Sequence, residues 1–490
     1  MKRVLTFLVL LLLFARCDNN PVVPALTTNA PPIANAGRQQ TIILPLMKLV
    51  LDGSKSADPE RGSLRYAWTK IAGPSAYFIQ NPNAALTDVT NLEEGTYQFE
   101  LKVTDIGGLS AKDTTEVQVI TQQTVTTKPV ACDFSSGRPE IAARLIPVGT
   151  LSQARGGMAV AWAGSKILFA GATLSAVSGS LDSDYGSSTV DIYDVVTQTW
   201  SKAKLSKSRS DIAAVAAGNK VFFAGGRLGD GANDQLFTTV DIYDVSTNTW
   251  SVASLSEPRA FIGAAAVGNK VFFAGGEKNW NYETSNRVDI YDLSSGTWST
   301  ANLSENRAYI AAVTADNKVY FAGGHIDNRW YDSPSRTIDI YDNGTNSWST
   351  SRLLEPRGMS SGIAVGDNIY WAGGLRYSGG VADESDCSVE IRNIHSQVSR
   401  LEGLFKPASW VTVEGQNAVV KDNKILYFRH YNTDDTSRFD IYDIASGSWS
   451  IGVLPKSITG VSIIAVNNTV YIAGGMVDGK LSNQVWKLEF

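Results

Sequence analysis

The 490-residue chain carries 43 Lys and Arg against 48 Asp and Glu, for a formal net charge of -5, and 43% of its residues are hydrophobic. That length exceeds what one core can hold and predicts two or more domains. The weak negative charge gives no field to recruit nucleic acid or an anionic membrane, so nucleic-acid binding is excluded.

The chain opens on an export pattern. Lys2 and Arg3 form a basic start, and residues 4–15 are an apolar run too short to span a bilayer. Cys17 follows at the end of that run, ahead of a Pro/Thr/Asn stretch. These features resemble a bacterial lipoprotein signal, which implies lipidation at Cys17 and an outer-membrane or cell-surface location. Arg16 stands where such signals carry a small residue, so an ordinary cleaved secretory signal is the alternative. Residues 1–17 are therefore set apart from the fold, and 18–32, with Pro21, Pro24, Pro31 and Pro32, read as a flexible tether.

Residues 33–121 show several short strands and no helical period. In 97–103 the residues Tyr97, Phe99, Leu101 and Val103 alternate onto one face. This predicts an Ig-like β-sandwich. The runs Asn35-Ala36-Gly37, Leu51-Asp52-Gly53-Ser54, Tyr66-Ala67-Trp68 and Val103-Thr104-Asp105 resemble the polycystic kidney disease-type (PKD) module. The resemblance implies a buried Trp68 and a spacer role. Asp52, Asp58 and Asp105 are expected to serve loop hydrogen bonds, with calcium binding as the other reading. Residues 122–140 read as a linker.

Residues 141–490 repeat. Val190-Asp191-Ile192-Tyr193-Asp194 leads to Trp200, and matching pentads lead to Trp250, Trp298, Trp348 and Trp449. A fixed period near 50 residues indicates a propeller or array. Each unit has a Gly/Ala-rich strand, a tight turn, a hydrophobic strand ending in Gly-Gly, a variable loop, the Asp-Ile-Tyr-Asp strand, a turn and the Trp strand. Gly-Gly, Tyr-Asp and Trp in this order resemble the kelch repeat, which implies one four-stranded blade per unit. Seven second strands are found, and 144–155 aligns with 199–209, so the N-terminal segment is expected to complete blade seven. A six-bladed ring is the alternative, because units five and six depart from the pattern.

The functional residues are expected on the face bearing the loops after Gly-Gly. Those loops carry Trp280 and Tyr282, Arg329, Trp330 and Tyr331, and Arg376 and Tyr377. Flat aromatics beside polar groups suit a glycan or protein ligand; pinning of their own loops is the alternative. Arg155, Arg209, Arg259, Arg307 and Arg357 recur at the entry to each first strand. They are expected either to ring the channel mouth as donors to an anionic ligand or to pair with Glu257, Glu305 and Glu355 in a structural role. The Asp residues of the repeated pentad are expected to cap turns.

His325, His395 and His430 lack ligand spacing, so no metal, cofactor or catalytic residue is assigned. Cys132 and Cys387 are expected to be free, because their strands start at opposite faces. The reading is an envelope-anchored, monomeric, non-catalytic binding protein. The alternative is a kelch-type carbohydrate enzyme, a galactose oxidase-like sugar oxidase or a sialic-acid mutarotase.

Overall fold

A computed structural model describes residues 29–44, 49–121, 137–172, 186–229, 235–279, 281, 283–326, 333–374, 387–405, 418–428 and 437–490. All regular elements among them are β-strands. Contacts divide the chain into two units, residues 1–121 and 122–490.

The first unit is a sandwich. One sheet holds Gln40–Leu44, Ser110–Thr121, Gly95–Thr104 and Arg65–Ala72 in that order, and the other holds Leu49–Asp52, Leu86–Thr90 and Phe78–Ile79. The alternation in Gly95–Thr104 buries Tyr97, Phe99, Leu101 and Val103 completely. Trp68 packs with them, its Nε1 donating to Ala84 O at 3.1 Å. Asp52 accepts from the Ser54 amide at 2.9 Å, Asp58 from the Gly62 amide, and Asp105 from the Leu109 amide and Asn29 Nδ2. All three carboxylates thus serve loop hydrogen bonds.

The second unit is a ring of seven antiparallel blades. Their innermost strands are Ala159–Ala163, Ala213–Ala217, Gly263–Val267, Ala311–Ala315, Ser361–Val365, Ala418–Lys421 and Ser462–Val466. Units five and six, despite their departures, both form sheets, which sets the six-bladed alternative aside. Blade seven consists of Ser462–Val466, Thr469–Ala473 and Gln484–Glu489, with Arg144–Thr150 as its outer strand. Blade six carries a fifth strand, Glu140–Ala142, parallel to Ser448–Val453.

Each second strand is buried on both faces, which is why its sequence is continuously apolar rather than alternating. Val221, Phe222, Phe223 and Ala224 are all 0% exposed. Inner strands use small residues because seven of them crowd the axis. The repeated Tyr and Trp pack in tilted contact at the blade edge, with ring centroids 4.8 Å apart for Tyr193 and Trp200 and 4.9 Å for Tyr243 and Trp250. Blade five has Arg392 and Ser399 at this cross-strand pair. The Arg392 guanidinium reaches blade four instead, donating to Arg352 O at 2.9 Å and Ser351 Oγ at 2.6 Å.

Gly-Gly forms the joint between blades. The second glycine's amide donates to the arginine carbonyl of the next blade: Gly226 to Arg259, Gly276 to Arg307 and Gly324 to Arg357, at 2.8–2.9 Å. Gly475 closes the ring on Arg155 in the same way at 2.9 Å. A Cβ on Gly225 would collide with Arg259 O, and the backbone there sits at φ +65°. Only glycine meets both demands.

Candidate functional site

The recurring arginines are not donors to a ligand. Arg155, Arg209, Arg259, Arg307 and Arg357 are each 0% exposed. Arg155 Nη1 donates to Asp191 at 2.7 Å, and Arg209, Arg259 and Arg307 pair with Asp241, Asp289 and Asp339. Other Nη protons go to backbone carbonyls, such as Gly225 O at 2.6 Å and Thr239 O at 2.8 Å for Arg209. Burial pulls Arg155, Arg209, Arg259 and Arg307 down, Arg209 to about 10, while their aspartates hold them up, so Arg209 stays cationic at neutral pH.

Glu257 and Glu305 stand only at 3.7 and 3.5 Å from the Arg259 and Arg307 Nε atoms. The expected donor ring is therefore an internal clamp, and its main partner is the first Asp of the pentad rather than the glutamate. Only the second Asp caps a turn. Asp244 accepts from the Ser246 and Thr247 amides at 3.0 and 3.3 Å and pairs with Lys220 at 2.6 Å.

Blade seven replaces the clamp outright. Ile458 occupies the arginine position and Trp486 the aspartate position, and both join one apolar cluster at 3% and 4% exposure. Exchange of a buried ion pair for packed apolar groups is energetically permissible only when both partners change together.

Two residues past each clamp arginine the backbone turns left-handed. Asp211, Phe261, Tyr309 and Met359 sit at φ +54 to +57°. Blades one and seven use Gly157 and Gly460 at the equivalent point, at φ +63 and +59°. A non-glycine residue there costs about 1–2 kcal/mol. Their backbones link blade to blade: Gly157 N donates to Gly460 O at 2.9 Å, and Tyr309 N to Phe261 O at 3.1 Å. This collar surrounds the upper mouth of the axial channel.

The first residues past Gly-Gly flank the collar, bridging at Ser210–Arg227, Ala260–Glu277 and Ala308–His325. Arg227 pairs with Asp211 at 2.5 Å and lies 4.9 Å over the Phe261 ring. Phe261 stacks on Tyr309 at 4.4 Å, and Tyr309 meets His325 edge-on at 5.9 Å. Burial pushes His325 down to about 4, so its ring is neutral at physiological pH. A charged pair, two stacked aromatics and a neutral imidazole thus run in one line across blades two to four.

Below the collar, the first strands enclose about 570 Å³ lined by small residues such as Ala214, Ala264, Ala312 and Gly362, with Trp162 near the lower end.

Sequence reasoning missed the collar. The signal was available: residues 211, 261, 309 and 359 vary inside an otherwise repeated segment, and glycine takes the equivalent place at 157 and 460. Trp280, Tyr282, Arg329, Trp330, Tyr331, Arg376 and Tyr377 lie outside the described residues, as do Cys17, Cys132 and His430. No group of three or more potential metal-ligating residues occurs among the described residues.

Cys387 is disulfide-bonded, contrary to the expectation of a free thiol. That expectation had the linker approach from the wrong side. Arg138 donates to Gly403 O at 2.6 Å, and the next residue, Leu404, donates to Cys387 O at 2.6 Å. Arg138, at the described end of the linker, therefore lies beside blade five.

Residues 36–119 match a PKD-domain family of the KIAA0319-like type, and residues 156–374 match the KLHDC2/KLHL20/DRC7 Kelch-repeats domain. The human dyslexia-associated protein KIAA0319 is 43% identical over 91 residues, 19% of this chain and 8% of that protein. Human low-density lipoprotein receptor-related protein 11 is 33% identical over 97 residues, 20% of this chain and 19% of that protein. The chain thus spans less than a fifth of either relative. The solved structure of YjhT aligns with 69% of this chain and 94% of its own at 13% identity and a TM-score of 0.42.

Proposed function

We propose that this chain, a PKD module followed by a kelch-repeat propeller, is a non-catalytic binding protein. Its ligand, a glycan or a protein, seats on the upper face of the propeller. The PKD module acts as a spacer, and export with lipidation at Cys17 holds the monomer at the cell envelope.

The observation that carries this reading is the collar. Four blades hold strained left-handed backbone at one position, and each carries a different side chain there: Asp211 and Tyr309 half-buried, Phe261 and Met359 buried beneath the face. Strain retained at a site of side-chain variety is a mark of function rather than of framework. Tyr309, backed by the buried Phe261 ring, and the Arg227–Asp211 pair offer apolar contact and orienting polar groups side by side, the combination that a sugar ring or a peptide side chain requires. Trp280 and Trp330 belong to the loops that continue from this collar.

A glycan and protein array on the full chain tests the reading. Phe261→Ala with Tyr309→Ala, and separately Trp280→Ala with Trp330→Ala, should weaken the detected interaction about tenfold or more. If neither pair changes any interaction, the upper face is not the site. Turnover of simple sugars by the purified chain, or copper bound to it, would establish an enzyme instead. Cys17→Ser should release the chain from the membrane fraction; retention there would remove the lipid anchor from the proposal.

A further inference from the structure

Blade six keeps the clamp aspartate but not its arginine. Its register with the other blades is fixed by two hydrogen bonds. The Leu404 amide donates to Cys387 O as Leu255 and Leu303 do to Thr238 O and Asn286 O. The Phe405 amide donates to Asp440 Oδ1 at 2.9 Å, as Ser256 and Ser304 do to Asp289 and Asp339. Counting on, Lys406-Pro407-Ala408 matches Glu257-Pro258-Arg259. Ala408, outside the described residues, thus stands in the sequence where the arginine would be. Asp440 is nevertheless 1% exposed. A carboxylate buried that deeply needs a cationic partner.

We infer that Arg138, from the segment ahead of the propeller, is that partner, and that residues 138–143 form a latch that completes blade six from outside its own repeat. Arg138 Nη1 donates to Asp440 Oδ1 at 2.9 Å and Nη2 to Gly403 O at 2.6 Å. The guanidinium lies 4.9 Å over the Trp449 ring, and the side chain is 11% exposed. The two partners are 302 positions apart in sequence.

The following residues continue the attachment along the same blade. Glu140, Ile141 and Ala142 pair with Ile451, Gly452 and Val453. Ile451 donates to Pro139 O at 2.9 Å, and Ala143 to Val453 O at 2.8 Å. Among the described residues, blade six is the one blade with a fifth strand. Blade seven, where the arginine and aspartate positions are both apolar, needs none. The latch occurs where the aspartate is kept and the clamp position of its own repeat carries Ala408 in the sequence.

The test uses the full chain and hydrogen exchange. Arg138→Ala should speed exchange in peptides spanning 138–143 and 448–453 by about 10- to 100-fold, the range for loss of a charge-assisted bond. Exchange in 239–254 of blade two should stay unchanged. Adding Asp440→Asn to Arg138→Ala should restore part of the lost Tm, because the buried charge that has lost its guanidinium is then removed. Should the alanine variant not fold, Arg138→Met, which keeps the stem over Trp449, is read in the same way. Unchanged exchange in 138–143, or a double variant no more stable than the single one, overturns the latch.

Discussion

Removing one clamp arginine should cost far more than removing the whole clamp. In Arg259→Ala the 0%-exposed guanidinium disappears, and Asp289, at 3% exposure, keeps only the Ser256 amide. Stranding a buried charge in this way costs about 3–5 kcal/mol. For a domain of this size, at about 2 °C per kcal/mol, Tm falls by about 6–10 °C. Arg259→Ile with Asp289→Leu copies the chemistry of blade seven, where Ile458 and Trp486 pack together. The residual penalty falls on the Gly275 and Arg287 carbonyls, which lose the Arg259 donor, and on the exposed Ser256 amide, which loses Asp289, for about 1–3 kcal/mol together. Guanidinium denaturation of the three proteins reads the difference directly. The reasoning fails if the single variant loses less than about 1 kcal/mol, or if the double variant is the least stable of the three.

Gly225→Ala should destabilise by at least about 3 kcal/mol, since left-handed strain adds to collision with Arg259 O, whereas Gly218→Ala, with open space around it, should cost only about 1 kcal/mol; paired denaturation curves separate them. His325, lowered from 6.5 to about 4, binds its proton more tightly in the unfolded chain. Stability should therefore fall as pH drops from 6.5 to 4, by about 3 kcal/mol, while Glu390, raised by burial, acts in the opposite sense. His325→Asn should remove that loss, which a pH series of both proteins measures. Arg144→Gln should change stability by no more than about 0.5 kcal/mol, because its pair with Glu489 is 74% and 50% exposed; a larger change in Tm would mark this outer strand as a critical seal.

The ring was legible because repetition exposes framework. The pentad, Gly-Gly and Trp gave the strands, and the match of 144–155 to 199–209 predicted the strand that completes blade seven. Their roles were less legible. Repetition says that Arg259 and Asp289 serve the blade, but not that they serve each other across 30 positions. The partnership of Arg138 with Asp440 was hidden for the same reason, since no repeat contains Arg138. The collar is less legible because it consists of single variable positions between repeated neighbours rather than of long loops. Phe261 and Tyr309 do not themselves favour a left-handed φ, so its mark lies only in Gly157 and Gly460 at the equivalent places of other blades.

The seal of the propeller also dictates when the ring can form. Arg144 meets Glu489 345 positions later, so this early strand waits for one at the far end of the repeats. Entropy of closure grows only slowly with loop length, but contacts of such separation set a slow rate. Until Gln484–Glu489 is synthesised, Leu145, Ile146 and Leu151 lack the strand and blade that cover them. The blades can begin to pair as they emerge, yet the circle commits only once Gln484–Glu489 is present.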